Sequence, residues 1–207
     1  MVMADKRAER MNELLRTDRV LWQSETVFAG IDEAGRGPLA GHVLAACVVM
    51  PPDKLLMGVD DSKKLSENRR DAVYDEIIAA ALYVGVGDAS AEEIDRLNIL
   101  NAAKLAMRRA ARNVPARLFA VDAVTNVGLH GRELPIVHGD AVCYSIAAAS
   151  IIAKVLRDRR MRQLHTLYPM YGFDRNKGYG TPEHMRMLRI YGPCPEHRRV
   201  FIRKLLV

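Results

Sequence analysis

The chain has 207 residues, 49% hydrophobic and 27% charged, with a net charge of +6. That is enough apolar material for one large domain and excludes a chain disordered throughout. The longest uncharged stretches, 37–52 and 141–153, fall short of the ~20 residues of a membrane helix, and three widely spaced cysteines, Cys47, Cys143 and Cys194, argue against a disulfide scaffold or a cysteine zinc site.

Residues 1–25 read as a charged helix, loosely amphipathic through Met11, Leu14 and Leu15. They contain no apolar h-region, so no secretory signal and a cytoplasmic location are expected. Thr26–Ile31 reads as a strand running into Asp32-Glu33 and the turn Gly35-Arg36-Gly37-Pro38. His42–Met50 is a continuous apolar run with β-branched residues, a buried strand that Pro51-Pro52 ends. A helix is expected from Ser66 to about Ala81, a short strand over Leu82–Gly87, and helix over Ala91–Arg112 with a break near Leu97-Asn98. Arg117–Ala123 is a strand carrying Asp122, and a glycine-rich turn leads to a brief strand at Leu134–Val137. One long helix is expected from Asp140 to about Leu164. After Pro169 the chain reads as irregular until Thr181-Pro182-Glu183, a good helix start with an N-cap, a first-position proline and a first-turn acid. A last helix is expected over Glu196–Leu205. The order predicts an α/β fold: a mixed sheet flanked by helices with a small C-terminal helical extension. Its expected divisions are a charged helix (1–25), a central domain (26–165) and a basic helical region (166–207).

Residues 1–153 hold 18 basic and 21 acidic residues, a net of −3, whereas 154–207 hold 13 and 4, a net of +9. A basic C-terminal quarter fits a protein that meets phosphates, and equally fits soluble arginine-rich helices.

The acids are placed unevenly too. Asp32 and Glu33 end an apolar strand, Asp122 interrupts another on the face of Ala120 and Val124, and Asp140 follows His138-Gly139 at a helix start. Singly, each has a structural explanation: Asp32 pairs with Arg36, Asp122 caps a turn, Asp140 is an N-cap. Together, three segments deliver four carboxylates with no histidine or cysteine set beside them. Hard oxygen ligands of this kind select Mg²⁺ or Mn²⁺, and four around two ions would make a two-metal phosphodiester cleaver. Asp158 stands 18 residues after Asp140, about 27 Å along a continuous helix, and is expected to pair with nearby arginines instead.

Gly30-Ile31-Asp32-Glu33-Ala34-Gly35-Arg36-Gly37-Pro38-Leu39-Ala40-Gly41 resembles the opening signature of the ribonuclease HII family, the bacterial type 2 ribonucleases H. Asp61–Ser66 (DSKKLS), Ile94–Leu100 (IDRLNIL), Gly139-Asp140 with Ser145–Val155 (SIAAASIIAKV), Asn176–Thr181 (NKGYGT) and His197-Arg198-Arg199 are similar to later motifs of that family, in the same order. The resemblance runs from about residue 26 to 201. It implies an RNase H-like fold, with Asp32, Glu33, Asp122 and Asp140 as catalytic carboxylates holding two Mn²⁺ or Mg²⁺ ions together with substrate. It also implies cleavage at ribonucleotides in RNA–DNA hybrids and in duplex DNA, leaving 5′-phosphate and 3′-hydroxyl ends, for ribonucleotide removal in replication and repair. Nucleic-acid contacts implied are Gly35, Arg36, Gly37, Ser62, Lys63, Lys177 and Tyr179, with Tyr179 stacking on the deoxyribose after the ribonucleotide. A monomer without membrane association is expected. Two positions depart from the family: His138 stands where a lysine is common, and Val200 where a small hydroxyl residue is. A type 3 ribonuclease H or another nuclease of the same fold is the alternative reading, and a non-catalytic nucleic-acid binder a third, which four clustered acids disfavour because they repel phosphate.

Overall fold

The computed structural model describes residues 2–24 and 27–205. Thr26, the expected first residue of a strand, lies outside them. Strands β1 (Phe28–Ala34), β2 (Val43–Val49), β3 (Tyr83–Ala89), β4 (Leu118–Asp122) and β5 (Arg132–Ile136) form one sheet in the order β3-β2-β1-β4-β5. The first three pair antiparallel as a meander, and β4 and β5 add parallel to β1. This is the expected mixed sheet.

Helices cover both faces. Residues of β1, β2 and β4 such as Ile31, Cys47 and Val121 pack under α4 (Ile99–Ala111), which follows α3 (Ala91–Leu97). The opposite face packs on α6 (Tyr144–Leu167), flanked by α1 (Val2–Ser24) and α2 (Glu67–Ala80). The approach of α6 requires a glycine: a Cβ on Gly30 would lie 2.2 Å from the Ser145 carbonyl carbon. The helix therefore sits almost on the strand that carries Asp32.

Several predicted boundaries hold for local reasons. Ser66 caps α2, its hydroxyl accepting from Arg69 N. Asn98, at φ 67°, breaks the predicted 91–112 helix and caps its second half through Asn101 N. Thr181 caps α8 (Pro182–Tyr191) through His184 N.

Four expectations are corrected. The helix from Asp140 is two: α5 (Gly139–Val142) and α6, separated by Cys143 in extended conformation (φ −135°, ψ 120°). Asp140 is not the cap of α5, for His138 holds that position with φ 54°. Ala123, at φ 48°, reverses the side-chain alternation, so Val124 joins the α4 face with Val121 instead of sharing that of Asp122. The predicted 196–205 helix shrinks to α9 (Arg199–Ile202), because His197 is engaged in a bridge to Ala40. The stretch after Pro169 is also more ordered than expected, with a 3₁₀ turn (Pro169–Tyr171) and one helical turn, α7 (Phe173–Asn176). Among the described residues no helix is long and apolar enough to cross a membrane.

Candidate active site

Parallel pairing sets Ile31 beside Val121, so the next residues, Asp32 and Asp122, stand at the same end of adjacent strands, still paired on their other sides to β2 and β5. Glu33 follows Asp32. Asp140 comes from α5, whose first N–H, on Gly139, donates to Asp122 Oδ1 at 2.6 Å. The structure thus gathers the four predicted acids from three segments. Asp32 and Asp140 are buried, and Asp122 is partly buried. Glu33 N donates to Asp32 Oδ1 at 2.7 Å, while Glu33 Oε1 faces Arg36 Nη1 at 3.4 Å. The other oxygen, Glu33 Oε2, is buried with no hydrogen-bond partner. Lys63 Nζ donates to Asp140 Oδ2 at 2.9 Å.

This crowding is costly. Burial pushes Asp32 well above the ordinary carboxylate range, and the charges of Glu33 and Asp122 push it further. Burial also raises Glu33, opposed by Arg36 and reinforced by Asp122. Asp122 is raised by burial and by Asp140, against the pull of the Gly139 N–H. The Lys63 ammonium, bound to Asp140, is raised correspondingly. Among the described residues no three His, Cys, Asp or Glu side chains form a ready-made metal cage. The donor chemistry nevertheless fits hard divalent cations whose coordination substrate oxygens complete: every acid donor is an oxygen, the carboxylates repel one another, and one buried oxygen is unpartnered.

A cleft of about 250 Å³ opens at these strand ends, lined by Asp32, Glu33, Asp122 and by the predicted contacts Gly35, Arg36, Gly37, Ser62, Lys63 and Tyr179. Ser62 is buried with its hydroxyl 2.8 Å from that of Ser150 on α6, and Ser150 in turn pulls the Asp32 pKa down against its burial. Ser62 therefore reaches the carboxylates through α6. Tyr179 is exposed, its ring 3.7 Å from where a Gly37 Cβ would be. Lys177 is placed differently: its ammonium bonds Asp174 O at 2.5 Å, and its carbonyl accepts from Arg157 at 3.0 Å. Asp158 pairs with Lys154 at 2.6 Å and with Arg70 at 3.8 Å, away from the acids, and so bears out the expected pairing with a lysine added.

Two arginines that the sequence suggested only as surface charge organise the Gly-Arg-Gly turn. Arg198 is wholly buried and donates to the carbonyls of Gly35, Arg36, Pro38 and Gly41 at 2.6–3.0 Å. Arg157 lies beneath Gly35, where a Cβ would fall 2.0 Å from its Nε, and Gly35 itself has φ +99°. A non-glycine residue there would meet both strain and a buried guanidinium. The signal was present in the Arg-rich motif that follows His197, but a basic run does not announce which arginine turns inward.

The sequence profile of the family described as Ribonuclease HII matches residues 29–204. The chain is 45% identical over 205 residues to Ribonuclease HII of Caldanaerobacter subterraneus subsp. tengcongensis, covering 98% of this chain and 85% of that protein. It is 52% identical over 177 residues to Ribonuclease HII of Burkholderia thailandensis, covering 84% and 83%. The ribonuclease H2 structure from Pyrococcus horikoshii OT3 superposes with a TM-score of 0.76 at 26% identity, covering 87% of this chain and 97% of that one.

Proposed function

Since the chain belongs to the ribonuclease HII family and is on that ground a ribonuclease H endonuclease, we propose that it cuts on the 5′ side of ribonucleotides. Its substrates in this reading are RNA–DNA hybrids and duplex DNA with embedded ribonucleotides, and its products carry 5′-phosphate and 3′-hydroxyl ends. The observation that supports this most is the overcrowded carboxylate cluster with the unpartnered Glu33 Oε2, set in a cleft whose rim carries Arg36, Lys63 and Tyr179.

Asp32, Glu33, Asp122 and Asp140 are the residues that hold two divalent cations, Mg²⁺ or Mn²⁺, with substrate. When bound, such ions supply positive charge at the attacking and leaving oxygens of an in-line displacement. The chain's own groups place the substrate. Lys63 and Arg36 offer cations to phosphates, and Ser62 backs Asp32 through Ser150. The Gly35–Gly37 turn, without side chains at its two glycines, lets backbone approach the minor groove, where the 2′-hydroxyl distinguishes ribose. Arg198 and Arg157 hold that turn in shape. Tyr179 presents its ring to the sugar following the ribonucleotide. Lys177 contributes through its carbonyl, which anchors Arg157. Residues 26–165 thus carry the acids, while 166–207 line the cleft with Tyr179 and hold its Gly-Arg-Gly turn with Arg198. We place the protein in the cytoplasm as a monomer, which gel filtration checks.

The test is a duplex with one embedded ribonucleotide, offered with Mg²⁺, with Mn²⁺ or with chelator. Nicking 5′ of the ribonucleotide with either ion and none with chelator is the expected result. Binding without nicking in both ions would overturn the reading in favour of a non-catalytic binder.

A further inference from the structure

Tyr179 stands on the cleft rim with glycine on both sides, as Arg36 does, and a ring on such a loop points where its peptide planes point. Its own side chain does little to fix it, for the ring is 47% exposed and meets Arg157 only at 5.9 Å. Its carbonyl is held firmly. Tyr179 O accepts from Thr181 N at 2.8 Å and lies 2.8 Å from His184 Nδ1. His184 is wholly buried, and its other nitrogen, Nε2, faces Nε2 of the equally buried His197 at 3.0 Å. His197 Nδ1 faces Cys194 N at 3.0 Å.

These three contacts leave one arrangement of protons. A carbonyl only accepts, so His184 Nδ1 carries hydrogen. A backbone N–H only donates, so His197 Nδ1 is bare. Each ring is neutral with one proton, since a second on either would set two N–H groups against each other at 3.0 Å. His197 Nε2–H therefore donates to His184 Nε2. Burial supports this by lowering both imidazoles, His197 to about 4. The rings of Tyr171 and Phe173 enclose the pair, and the His197 segment is itself bridged to Ala40 beyond the Gly-Arg-Gly turn.

We propose that His184 is a positioning residue for substrate discrimination. Together with His197 it forms a directed hydrogen-bond chain from Cys194 N–H to the Tyr179 carbonyl, which aims the Tyr179 ring across the cleft. This rests on the reading of Tyr179 as the group that meets the sugar at the ribonucleotide junction.

Two isosteres separate positioning from mere packing. In His184→Asn the amide nitrogen falls where Nδ1 was and still donates to Tyr179 O. In His184→Gln the amide group falls where Nε2 was, keeping His197 company and leaving the carbonyl without this donor. We expect amides 178–181 to exchange hydrogen at least ~10-fold faster in the Gln variant and at the native rate in the Asn variant. Cleavage of a single-ribonucleotide duplex relative to a continuous hybrid should fall severalfold in Gln and by less than about twofold in Asn. Adding Tyr179→Ala to His184→Gln should bring no further fall in that ratio beyond Tyr179→Ala alone, because the two act as one unit. Equal exchange and equal ratios in Asn and Gln would overturn the positioning role. Tyr179→Ala losing equally on both substrates would instead overturn the reading of Tyr179, while the exchange result stood. Should the Gln variant not fold, ¹⁵N spectra of wild-type histidines decide: hydrogen on Nδ1 of His184 and on Nε2 of His197 supports the chain, and the opposite tautomer of His184 refutes it.

Discussion

Asp18 carries a stability consequence that follows from its three buried hydrogen bonds. It lies on α1 and is fully buried, yet its carboxylate acts 126 residues away. Oδ2 accepts from Tyr144 N at 2.6 Å, and Oδ1 from Ser145 N at 2.9 Å and Ser145 Oγ at 2.6 Å. Cys143, in the N-cap position of α6, provides no side-chain cap of its own, so Asp18 caps that helix from outside. Asp18→Ala leaves two backbone donors and a hydroxyl buried at residues with no solvent exposure. Each unsatisfied donor costs about 1–3 kcal/mol, and the lost cap and dipole partner fall within the same range. Against this stands relief of a carboxylate that burial pushes above its ordinary range. The net loss is about 3 kcal/mol, or roughly 6–12 °C in Tm for a chain of this size. Asp18→Asn keeps an acceptor and removes the buried charge, so about 1 kcal/mol is expected. Scanning calorimetry of the three proteins at neutral pH is the assay. An Ala variant melting within about 2 °C of wild type, or an Asn variant as weak as Ala, would refute the capping argument.

Asp122→Asn should lower cleavage about a thousandfold or more while leaving Tm at or above wild type, because its amide oxygen can still accept from Gly139 N; retention of a tenth of the rate would remove Asp122 from the reacting centre. The depressed His197 makes stability pH-dependent: its unfolded form binds a proton near 6.5 and its folded form near 4, so stability is fully present above the upper value and is lost as pH falls toward the lower. Wild type should lose about 2 kcal/mol more than His197→Gln between pH 7 and pH 5 in urea titrations, and parallel losses would show that His197 is protonated equally in both states. His138 is exposed, with φ 54° and no capping bond, so its imidazole does not secure the start of α5. His138→Lys is expected to tighten duplex binding in Ca²⁺, most at alkaline pH, and to steepen the salt dependence by about 0.9 in log–log slope, one phosphate's worth; identical slopes and pH profiles would remove it from the phosphate path.

What the sequence revealed and what it hid divide along a physical line. The strand leading to Asp32, the Ser66 and Thr181 caps and the break at Asn98 are written in neighbouring residues; the structure places the caps and the break where they were expected and carries the strand three residues further, through Ala34. The four acids were legible because charge inside apolar strands is expensive enough to need a reason. The break at Cys143 was not. No glycine or proline interrupts residues 140–164, and the helix is divided where a carboxylate from α1 caps its second part. One trace did exist: Met11, Leu14, Leu15, Asp18, Leu21 and Trp22 share helical spacing, and an acid within that apolar stripe needs a buried partner.

The C-terminal basic quarter misled for the same reason, since a count of charges says nothing of what each one faces. Arg198 is spent on four carbonyls of the Gly-Arg-Gly turn and Arg157 on three more from Ala40, His42 and Lys177. Arg159 pairs with Asp71, Arg162 with Glu67 and Arg175 with Glu183. Much of the +9 is therefore committed within the fold, and of the cations lining the cleft beside the acids Arg36 and Lys63 come from the part of the chain whose net charge is negative, Lys154 and Arg157 from the basic quarter. Val200 shows the same economy. Its N–H and that of Arg199 donate to Asp95 at 3.0 and 2.8 Å, so this short helix, like α6, begins on a carboxylate from a distant segment. Such caps tie the ends of α6 and α9 to α1 and α3, and the turn beside the acids inherits its rigidity from contacts that no local pattern of residues could announce.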